Sequence, residues 1–288
     1  MVKQGRVEQK SQKGILGWKK VGIHIVAIFL SLLSVLPFWI MLMNATRSTT
    51  AIQAGISLFP SSFLKSNWDV LTGKGFNAVR GIINSSIIAF GSTGLSVYFS
   101  TLTAYGLTVY RFKGRDLLFS FIIGIIMIPT QLNLIGFYQF MLRLGLTNSF
   151  IPLIIPAIAS PATVFFMRQY LVATMPFDII ESARIDGAGE FRIFNIMTIP
   201  IMKPAIATMS IFGVVTSWNN FLTPLTLLTN EKKYTLPLMV QMLKGDIYKT
   251  EYGGIYLGIS LTILPLLVIY FALSKYIIRG VAMGGVKE

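Results

Sequence analysis

Charged residues, cysteine and histidine are scarce in this chain, and each scarcity excludes a class of protein. Only 12% of the 288 residues are charged and 53% are hydrophobic, whereas about 25% are charged in a typical soluble domain. Cysteine is absent, which excludes a disulfide framework and thiolate chemistry. The single histidine, His24, lies in an apolar run, so a histidine-based metal site or a Ser-His-Asp triad is hard to build. The composition predicts an integral membrane protein that is not an enzyme.

Long apolar runs predict six membrane-spanning helices, because each span needs about 20 apolar residues. The run after the N-terminal arm is too long for the core of a cleavable signal peptide, so it is expected to stay as the first span. Pro129 interrupts the third run, and we expect a kink or break there, since proline removes a backbone donor. The predicted spans are residues 21–43, 84–110, 117–142, 150–173, 204–229 and 255–278.

The distribution of lysine and arginine predicts the orientation of these spans. Basic residues are enriched in the cytoplasmic segments of membrane proteins. Of the 25 lysines and arginines, 16 fall on one side of the predicted topology, in residues 1–20, 111–116, 168–203 and 275–288. Both termini are therefore expected in the cytoplasm, and the net charge of +14 indicates topology rather than a nucleic-acid partner. The expected organisation is a basic cytoplasmic arm, a membrane domain and a cytoplasmic tail, at residues 1–20, 21–278 and 279–288.

A polar loop at residues 176–203 lies between two long apolar runs. Pro176 suits the first turn of a helix, and Asp186-Gly187 is a turn signal because glycine accepts positive φ. A second helix is expected after this turn, ending before Pro200 and Pro204. The loop is either an ordinary solvated connection or a docking surface for a soluble protein. Six of its charged residues fall within fifteen positions: Asp178, Glu181, Arg184, Asp186, Glu190 and Arg192.

Three motifs occur in order along the chain. The first is ESARIDGA at residues 181–188, followed by Ile199-Pro200; the second is SWNNF at 217–221; the third is GVAMGGVK at 280–287. Together they resemble ABC-importer permeases of the carbohydrate-uptake subfamily, typified by the smaller permease subunit of maltose-type systems. The first motif is similar to the EAA loop of that family, with serine in place of its second residue. The resemblance extends from about residue 21 to the end.

The resemblance implies an all-α, polytopic helical bundle with the type I ABC importer permease fold. The loop at residues 176–203 would then be a coupling loop that docks into a cytosolic ATPase. Glu181 would meet a basic residue of that ATPase, Gly187 would form the turn, and the C-terminal tail would reach toward the ATPase interface. The implied ATPase-coupling residues are Glu181, Ala183, Asp186, Gly187, Gly284 and Gly285.

The resemblance also implies partners that do the chemistry. These are a second permease subunit, two cytosolic ATPase subunits, and an extracytoplasmic solute-binding protein that would touch residues 44–83 and 230–254. ATP and Mg²⁺ would be used by the ATPases, and this chain would bind no cofactor or metal. The Gly-Lys pair at Gly73-Lys74 lacks the upstream glycine and the following Ser or Thr of a phosphate-binding loop, so this chain is not expected to hydrolyse ATP.

Amides and aromatic rings near the second motif are candidates for contact with a carbohydrate in the membrane. The same amides could simply join helices by hydrogen bonds, and Gln131 could either line a cavity at a broken helix or support the kink. The expected solute is a neutral sugar or oligosaccharide, with a glycerol-phosphate ester or an anionic polysaccharide as alternatives. A secondary transporter is disfavoured, since the spans hold almost no acidic residue for ion coupling. The candidate substrate-pathway residues are Gln131, Trp218, Asn219, Asn220 and Phe221.

Overall fold

The computed structural model describes residues 2–73, 75–243 and 250–285, and within these ranges all regular secondary structure is helical. Arg115–Ile126 and Gln131–Arg143 form a pair bent by 82°, which makes one broken span. Five further helices are long and apolar enough to cross a membrane, so the described residues form up to six spans by length and composition, and the all-α fold is confirmed. Those five are Lys20–Asn44, Ala78–Val109, Ile151–Thr174, Glu190–Asn219 and Tyr252–Phe271.

Helices of very different lengths make up the described chain. The first begins at Val2, so it includes the predicted N-terminal arm, and the last ends at Gly285. Residues 286–288 of the predicted tail and 244–249 of the predicted outer segment lie outside the described residues. The α-helices are α1 (Val2–Asn44), α2 (Thr49–Ala54), α3 (Leu64–Gly73), α4 (Ala78–Val109), α5 (Arg115–Ile126), α6 (Leu134–Arg143), α7 (Ile151–Ile154), α8 (Pro161–Thr174), α9 (Phe177–Ile185), α10 (Glu190–Arg192), α11 (Ile199–Asn219), α12 (Leu222–Leu227), α13 (Leu236–Leu243) and α14 (Tyr252–Gly285).

The third span breaks at Pro129, where the sequence predicts a kink or break. Helix α5 ends at Ile126, and Pro129 is extended, with φ −60° and ψ 121°. A short 3₁₀ turn, Thr130–Asn133, then leads into α6. Proline has no backbone N–H and its ring clashes with the carbonyl one turn earlier, so the helix cannot continue through this position.

The prolines near the fifth span do not end a helix, and this part of the prediction was wrong. The helical path is continuous from Glu190, through a π-helical stretch at Ile193–Thr198, to Asn219. Pro200 lies in the first turn of α11 and Pro204 lies inside it. The wider π turn leaves room before Pro200, where an α turn would place the ring against a carbonyl. The span therefore ends at Asn219 rather than at residue 229.

The chain forms two compact units, which are described separately. One comprises the described residues up to 73 together with 250–260. In this unit the buried Asn67 amide donates to the backbone carbonyls of Ala45 and Arg47, at 2.8 and 3.0 Å. Gly253 lies directly against the Asn67 side chain, where a Cβ atom would overlap the amide. A glycine at residue 253 is thus required for this packing.

The other unit, residues 75–243 and 261–285, is organised around α4, which packs against α8, α11 and α13. Helices α4 and α11 approach closely at Gly213, where a Cβ atom would lie 3.0 Å from Thr93 Oγ1. Near the C-terminal end of α4, buried apolar side chains from α4, α8, α9 and α11 form a cluster. Its largest members include Tyr105, Met167, Leu171, Ile180, Phe194 and Met202.

The N-terminal end of α4 is attached to the segment that leads into α13. The Asn84 amide donates to the backbone carbonyls of Lys232 and Tyr234, at 3.0 and 2.9 Å. Ser85 Oγ accepts a hydrogen bond from the backbone N–H of Leu236, at 2.9 Å. A Cβ atom on Gly81 would lie 3.0 Å from the Leu236 side chain. In each of these contacts at least one of the two partners is a backbone group.

Candidate functional site

A cavity of about 380 Å³ opens between α4, α8 and α11, with further walls from the α7 region. Hydroxyl groups and one amide supply the polar part of its lining, and no charged side chain is among the described residues around it. Its volume is in the range of about 300–1,000 Å³ that small-molecule sites occupy. The lining residues are Ser92, Thr93, Ser96, Leu153, Ala157, Ser160, Ala162, Thr163, Met209, Phe212, Gly213, Thr216, Ser217 and Asn220.

The hydroxyl groups of the cavity form pairs, two of which join neighbouring helices while one lies at the start of α8. Ser92 Oγ donates to Ser217 Oγ at 3.0 Å, which links α4 to α11. The hydroxyls of Ser160 and Thr163 lie 2.7 Å apart, and Ser96 lies 3.4 Å from Thr163. A hydroxyl has one donor and two acceptor positions, so each of these groups keeps capacity for a further hydrogen bond. The pairs therefore hold the helices together and can still bind a polar ligand.

Among the five predicted pathway residues, Asn220 lines this cavity and Trp218 does not. The Trp218 side chain is 1% exposed, and its indole N–H donates to the carbonyl of Thr262 in α14, at 3.2 Å. Residues two apart on a helix point in widely different directions, and a buried indole N–H needs an acceptor. The structure therefore places the Trp218 ring in helix packing, where it cannot serve as the predicted sugar platform.

The other three predicted pathway residues lie outside the cavity lining. Asn219 donates to the Val215 carbonyl at 3.0 Å, Phe221 is 37% exposed, and Gln131 is exposed in the 3₁₀ turn of the broken span. The cavity hydroxyls were missed by sequence reasoning. The available signal was Ser92 and Ser96, four positions apart in a predicted membrane span, which places two hydroxyls on one face of the helix.

The polar loop forms the predicted helix, turn and second helix. Helix α9 spans Phe177–Ile185, and Gly187 has φ +77°, a conformation that favours glycine. Two backbone hydrogen bonds close the turn, from Gly187 to the carbonyl of Arg184 at 3.0 Å and from Ala188 to that of Ala183 at 2.9 Å. Helix α10 then begins the path into α11. The loop is thus an ordered element rather than an irregular connection.

The two faces of α9 differ sharply in exposure. Ile180 and Ala183 are buried in the cluster beside α4. Glu181 and Asp186 are exposed, and with them Ile185 is 86% exposed. Ala183 was predicted as a coupling residue, and the structure places it among the buried side chains that pack α9 against the cluster. The exposed face therefore combines two carboxylates with a large apolar side chain.

The carboxylate of Glu190, the first residue of α10, contacts side chains of α4 and α9 and so connects three helices. Glu190 accepts a hydrogen bond from the Tyr105 hydroxyl of α4 at 2.8 Å and from Arg184 Nε of α9 at 2.5 Å. The hydrogen bond with Glu190 raises the pKa of the Arg184 guanidinium. That guanidinium also lies 5.5 Å from the centre of the Tyr110 ring, just beyond the end of α4. Sequence reasoning named Glu190 only as one charge of the loop.

The predicted coupling residues Gly284 and Gly285 are the last two residues of α14. The sequence predicts that they lie in a tail after the sixth span, whereas in the structure α14 continues through them. Their role in coupling stays a prediction.

Comparisons with known proteins agree with this arrangement. Residues 96–283 match the family described as "Binding-protein-dependent transport system inner membrane component". The arabinooligosaccharides transport system permease protein AraQ of Bacillus subtilis (strain 168) is 34% identical over 271 residues, covering 93% of this chain and 96% of AraQ. The lactose transport system permease protein LacG of Rhizobium radiobacter is 30% identical over 255 residues, covering 88% of this chain and 92% of LacG.

A solved structure shows the same fold. It is the crystal structure of a bacterial ABC transporter involved in the import of the acidic polysaccharide alginate. One of its chains matches with a TM-score of 0.75 and 21% sequence identity, covering 90% of this chain and 96% of that chain.

Proposed function

The chain belongs to the family of binding-protein-dependent transport system inner membrane components, and on this premise we propose that it is a permease subunit of an ATP-driven importer for a neutral sugar or oligosaccharide. The structure of the polar loop is the main support for this proposal. Its ordered turn at Gly187 presents Glu181, Ile185 and Asp186 outward, while its other face is packed against α4. In this proposal the exposed face docks into a cytosolic ATPase, which places the loop and both termini in the cytoplasm.

The chemistry of the cavity favours a neutral carbohydrate. Its described lining offers hydroxyls and the Asn220 amide, which suit hydrogen bonds to sugar hydroxyls, and no lysine or arginine that would attract an anion. The relatives AraQ and LacG are named for arabinooligosaccharide and lactose transport. A glycerol-phosphate ester or an anionic polysaccharide would require a basic group in the pathway, supplied by the partner permease.

The proposed mechanism is alternating access driven from outside this chain. Two partner ATPases bind ATP and Mg²⁺, close together and move the docked loop. Because α10, the π-helical stretch and α11 form one continuous helical path, movement of the loop reaches the cavity wall at Thr216 and Asn220 directly. A second permease subunit forms the other half of the pathway, and an external binding protein delivers the sugar. Rigid-body movement of packed subunits is a known type of switch.

The decisive experiment compares two proline substitutions in the loop. Gly187→Pro forces φ to about −65° where the native value is +77°, and it should destroy the turn. Gly189→Pro is the matched control, because Gly189 already has φ −69° and open space around its Cβ position. Each full-length variant is purified from its own host in mild detergent, and co-purifying proteins are identified by mass spectrometry.

The wild type and Gly189→Pro should recover a second permease and an ATPase, while Gly187→Pro should recover the permease without the ATPase. Glu181→Ala should weaken ATPase recovery with the fold unchanged. Recovery of the ATPase with Gly187→Pro at the wild-type level would refute docking through this loop. The recovered binding protein is then titrated with arabinooligosaccharides and lactose as probes, and binding of a phosphate ester or alginate instead would refute the neutral sugar.

A further inference from the structure

The polar loop is connected to the cavity by two routes of different kinds. One route is covalent: it runs back into α8, which lines the cavity and ends two residues before α9 begins, and forward into α11, since the helical path is unbroken from Glu190 to Asn219. The route to α4 consists of side-chain contacts alone, because α4 precedes the loop by about seventy residues in the chain. ATPase-driven movement therefore reaches the α4 wall of the cavity through side-chain contacts, either from the loop itself or from α8 and α11, which pack against α4.

Both oxygens of the Glu190 carboxylate are used in this connection. Oε2 accepts from the Tyr105 hydroxyl, and Oε1 accepts from Arg184 Nε. Glu190 therefore joins α4, which ends beside the loop, to α9, which carries the exposed docking face. The Tyr105 side chain is only 3% exposed, so water does not compete freely for its hydroxyl. A charge-assisted hydrogen bond shielded in this way is stronger than one in water.

Aromatic contacts extend the same attachment along α4. The Phe194 ring lies 5.5 Å from the Tyr105 ring and 5.8 Å from the Tyr98 ring. Tyr98 and Tyr105 are seven residues apart and so share one face of the helix. The Tyr98 hydroxyl also donates to Asn195 Oδ1, at 3.3 Å. The start of the π-helical stretch is thus packed against two aromatic side chains of α4 that lie about two turns apart.

The same helix forms a wall of the cavity a short distance away. Ser92, Thr93 and Ser96 of α4 line the cavity. Nine residues separate Ser96 from Tyr105, which corresponds to about 14 Å along a helix. Helix α4 is unbroken between them, so a shift applied at Tyr105 displaces the cavity wall with it.

We infer that Glu190 is a positioning residue that makes α4 follow the polar loop during transport. It binds neither the sugar nor the ATPase in this inference; it holds Tyr105, and through Tyr105 the α4 wall, to the element that the ATPase moves. The inference rests on the proposed function and adds to it how movement of the polar loop is transmitted to different helices. Movement reaches α8 and α11 through the backbone, and the Glu190–Tyr105 hydrogen bond holds the loop end of α4 to the moving loop, in addition to the packing of α4 against those two helices.

The absence of cysteine makes a direct test possible, since a single introduced thiol is the only one in this chain. Ser96→Cys reports on the α4 wall and Thr216→Cys on the α11 wall, both inside the cavity lining. The intact importer is reconstituted in liposomes, and the rate of labelling by a water-soluble methanethiosulfonate is measured without nucleotide and with ATP and vanadate. Each reporter is studied in three backgrounds: the wild type, Tyr105→Phe, and the matched control Tyr138→Phe on α6.

Tyr105→Phe removes the hydroxyl bound to Glu190 and keeps the ring packed against Phe194. In the wild type and in Tyr138→Phe, both reporters should change their labelling rate by about fivefold or more with nucleotide. In Tyr105→Phe the α4 reporter should lose most of that change, while the α11 reporter keeps it. Glu190→Gln retains an acceptor for Tyr105, so it should restore much of the α4 response that Glu190→Ala abolishes.

Retention of the full α4 response in Tyr105→Phe and Glu190→Ala would overturn the inference, because the contact would then only stabilise the loop. Equal loss at both reporters would also overturn it, because the two routes would not be separate. The absence of any nucleotide response in the wild type, at either reporter, would refute the proposed function and the inference with it. The matched reporters therefore distinguish a failure of the inference from a failure of the proposed function.

Discussion

The two ends of α4 are attached by different kinds of contact. At the N-terminal end, Asn84 and Ser85 bond to backbone groups of residues 232–236. At the C-terminal end, Tyr105 bonds to the Glu190 side chain, which is itself held by Arg184. A bond to backbone survives any change in the partner's side chain, whereas a bond between two side chains needs both. The N-terminal attachment is thus fixed, whereas the C-terminal attachment can be altered by a change in either side chain.

The two attachments also differ in exposure, and this difference indicates which end of α4 can move. The Asn84 and Ser85 side chains are buried, the Ser85–Leu236 hydrogen bond is buried, and the two Asn84 hydrogen bonds are partly buried. The Arg184–Glu190 pair is partly exposed, with side-chain exposures of 36% and 41%. Exposed ion pairs are weak and respond to their surroundings. The loop end of α4 is therefore suited to switching, while the other end holds the helix in place.

The largest effect is expected from loss of the fixed attachment. Asn84→Leu would leave two backbone carbonyls without their donor, and an unpaired buried polar group costs about 1–3 kcal/mol. The free energy of unfolding should fall by about 2 kcal/mol or more, measured as the midpoint of SDS-induced unfolding in mixed micelles. Ser85→Ala, which removes a single acceptor, serves as the graded control. Equal stability of Asn84→Leu and the wild type would contradict the fixed attachment.

Removal of the hydroxyl at the loop end should cost less. Tyr105→Phe deletes one hydrogen bond and keeps the ring contacts, so the free energy of unfolding should fall by about 1 kcal/mol. The same unfolding midpoint in mixed micelles measures it, with Tyr138→Phe as a control that should be neutral. A loss larger than that of Asn84→Leu would reverse the contrast between the two ends.

Double-mutant cycles should separate the two kinds of attachment. Tyr105→Phe combined with Glu190→Ala should show a coupling of about 0.5–1 kcal/mol, since residues that share a hydrogen bond are not additive. Asn84→Leu combined with Lys232→Ala should be additive within about 0.5 kcal/mol, because Asn84 binds the carbonyl of residue 232 and not its side chain. Similar coupling in both cycles would show that the attachments do not differ in kind.

The smallest effect is expected at the exposed ion pair. Arg184→Gln should change the free energy of unfolding by about 0.5 kcal/mol or less, because solvent screens a partly exposed pair. Raising the salt concentration should reduce even this difference, and the Asn84→Leu effect should not respond to salt. A salt-insensitive effect of Arg184→Gln would indicate that packing, and not charge, holds the loop to α4.

Local features of the chain were predictable because their causes lie within a few residues. Pro129 breaks the third span since it lacks a backbone donor, and Gly187 forms the turn since it accepts positive φ. Pro200 and Pro204 were misjudged by the same local reasoning. The π-helical stretch before Pro200 accommodates the ring, and such a stretch has no simple sequence signal.

The candidate site was only partly predictable, because its members come from separate helices. Asn220 was identified from its motif, but Trp218 beside it is buried against Thr262. Ser92 and Ser217 meet across α4 and α11 although 125 positions separate them. Ser and Thr occur in many membrane helices as packing residues, so their presence alone does not mark a cavity.

The sequence by itself determined that this chain crosses the membrane, where its third span breaks and where its polar loop turns. These properties depend on apolar length and on the backbone freedom of single residues. Only the tertiary structure decided which polar groups meet in the cavity and that Glu190 reaches Tyr105 across 85 positions. Such pairs depend on how helices pack and face one another, and no local pattern of residues encodes that arrangement.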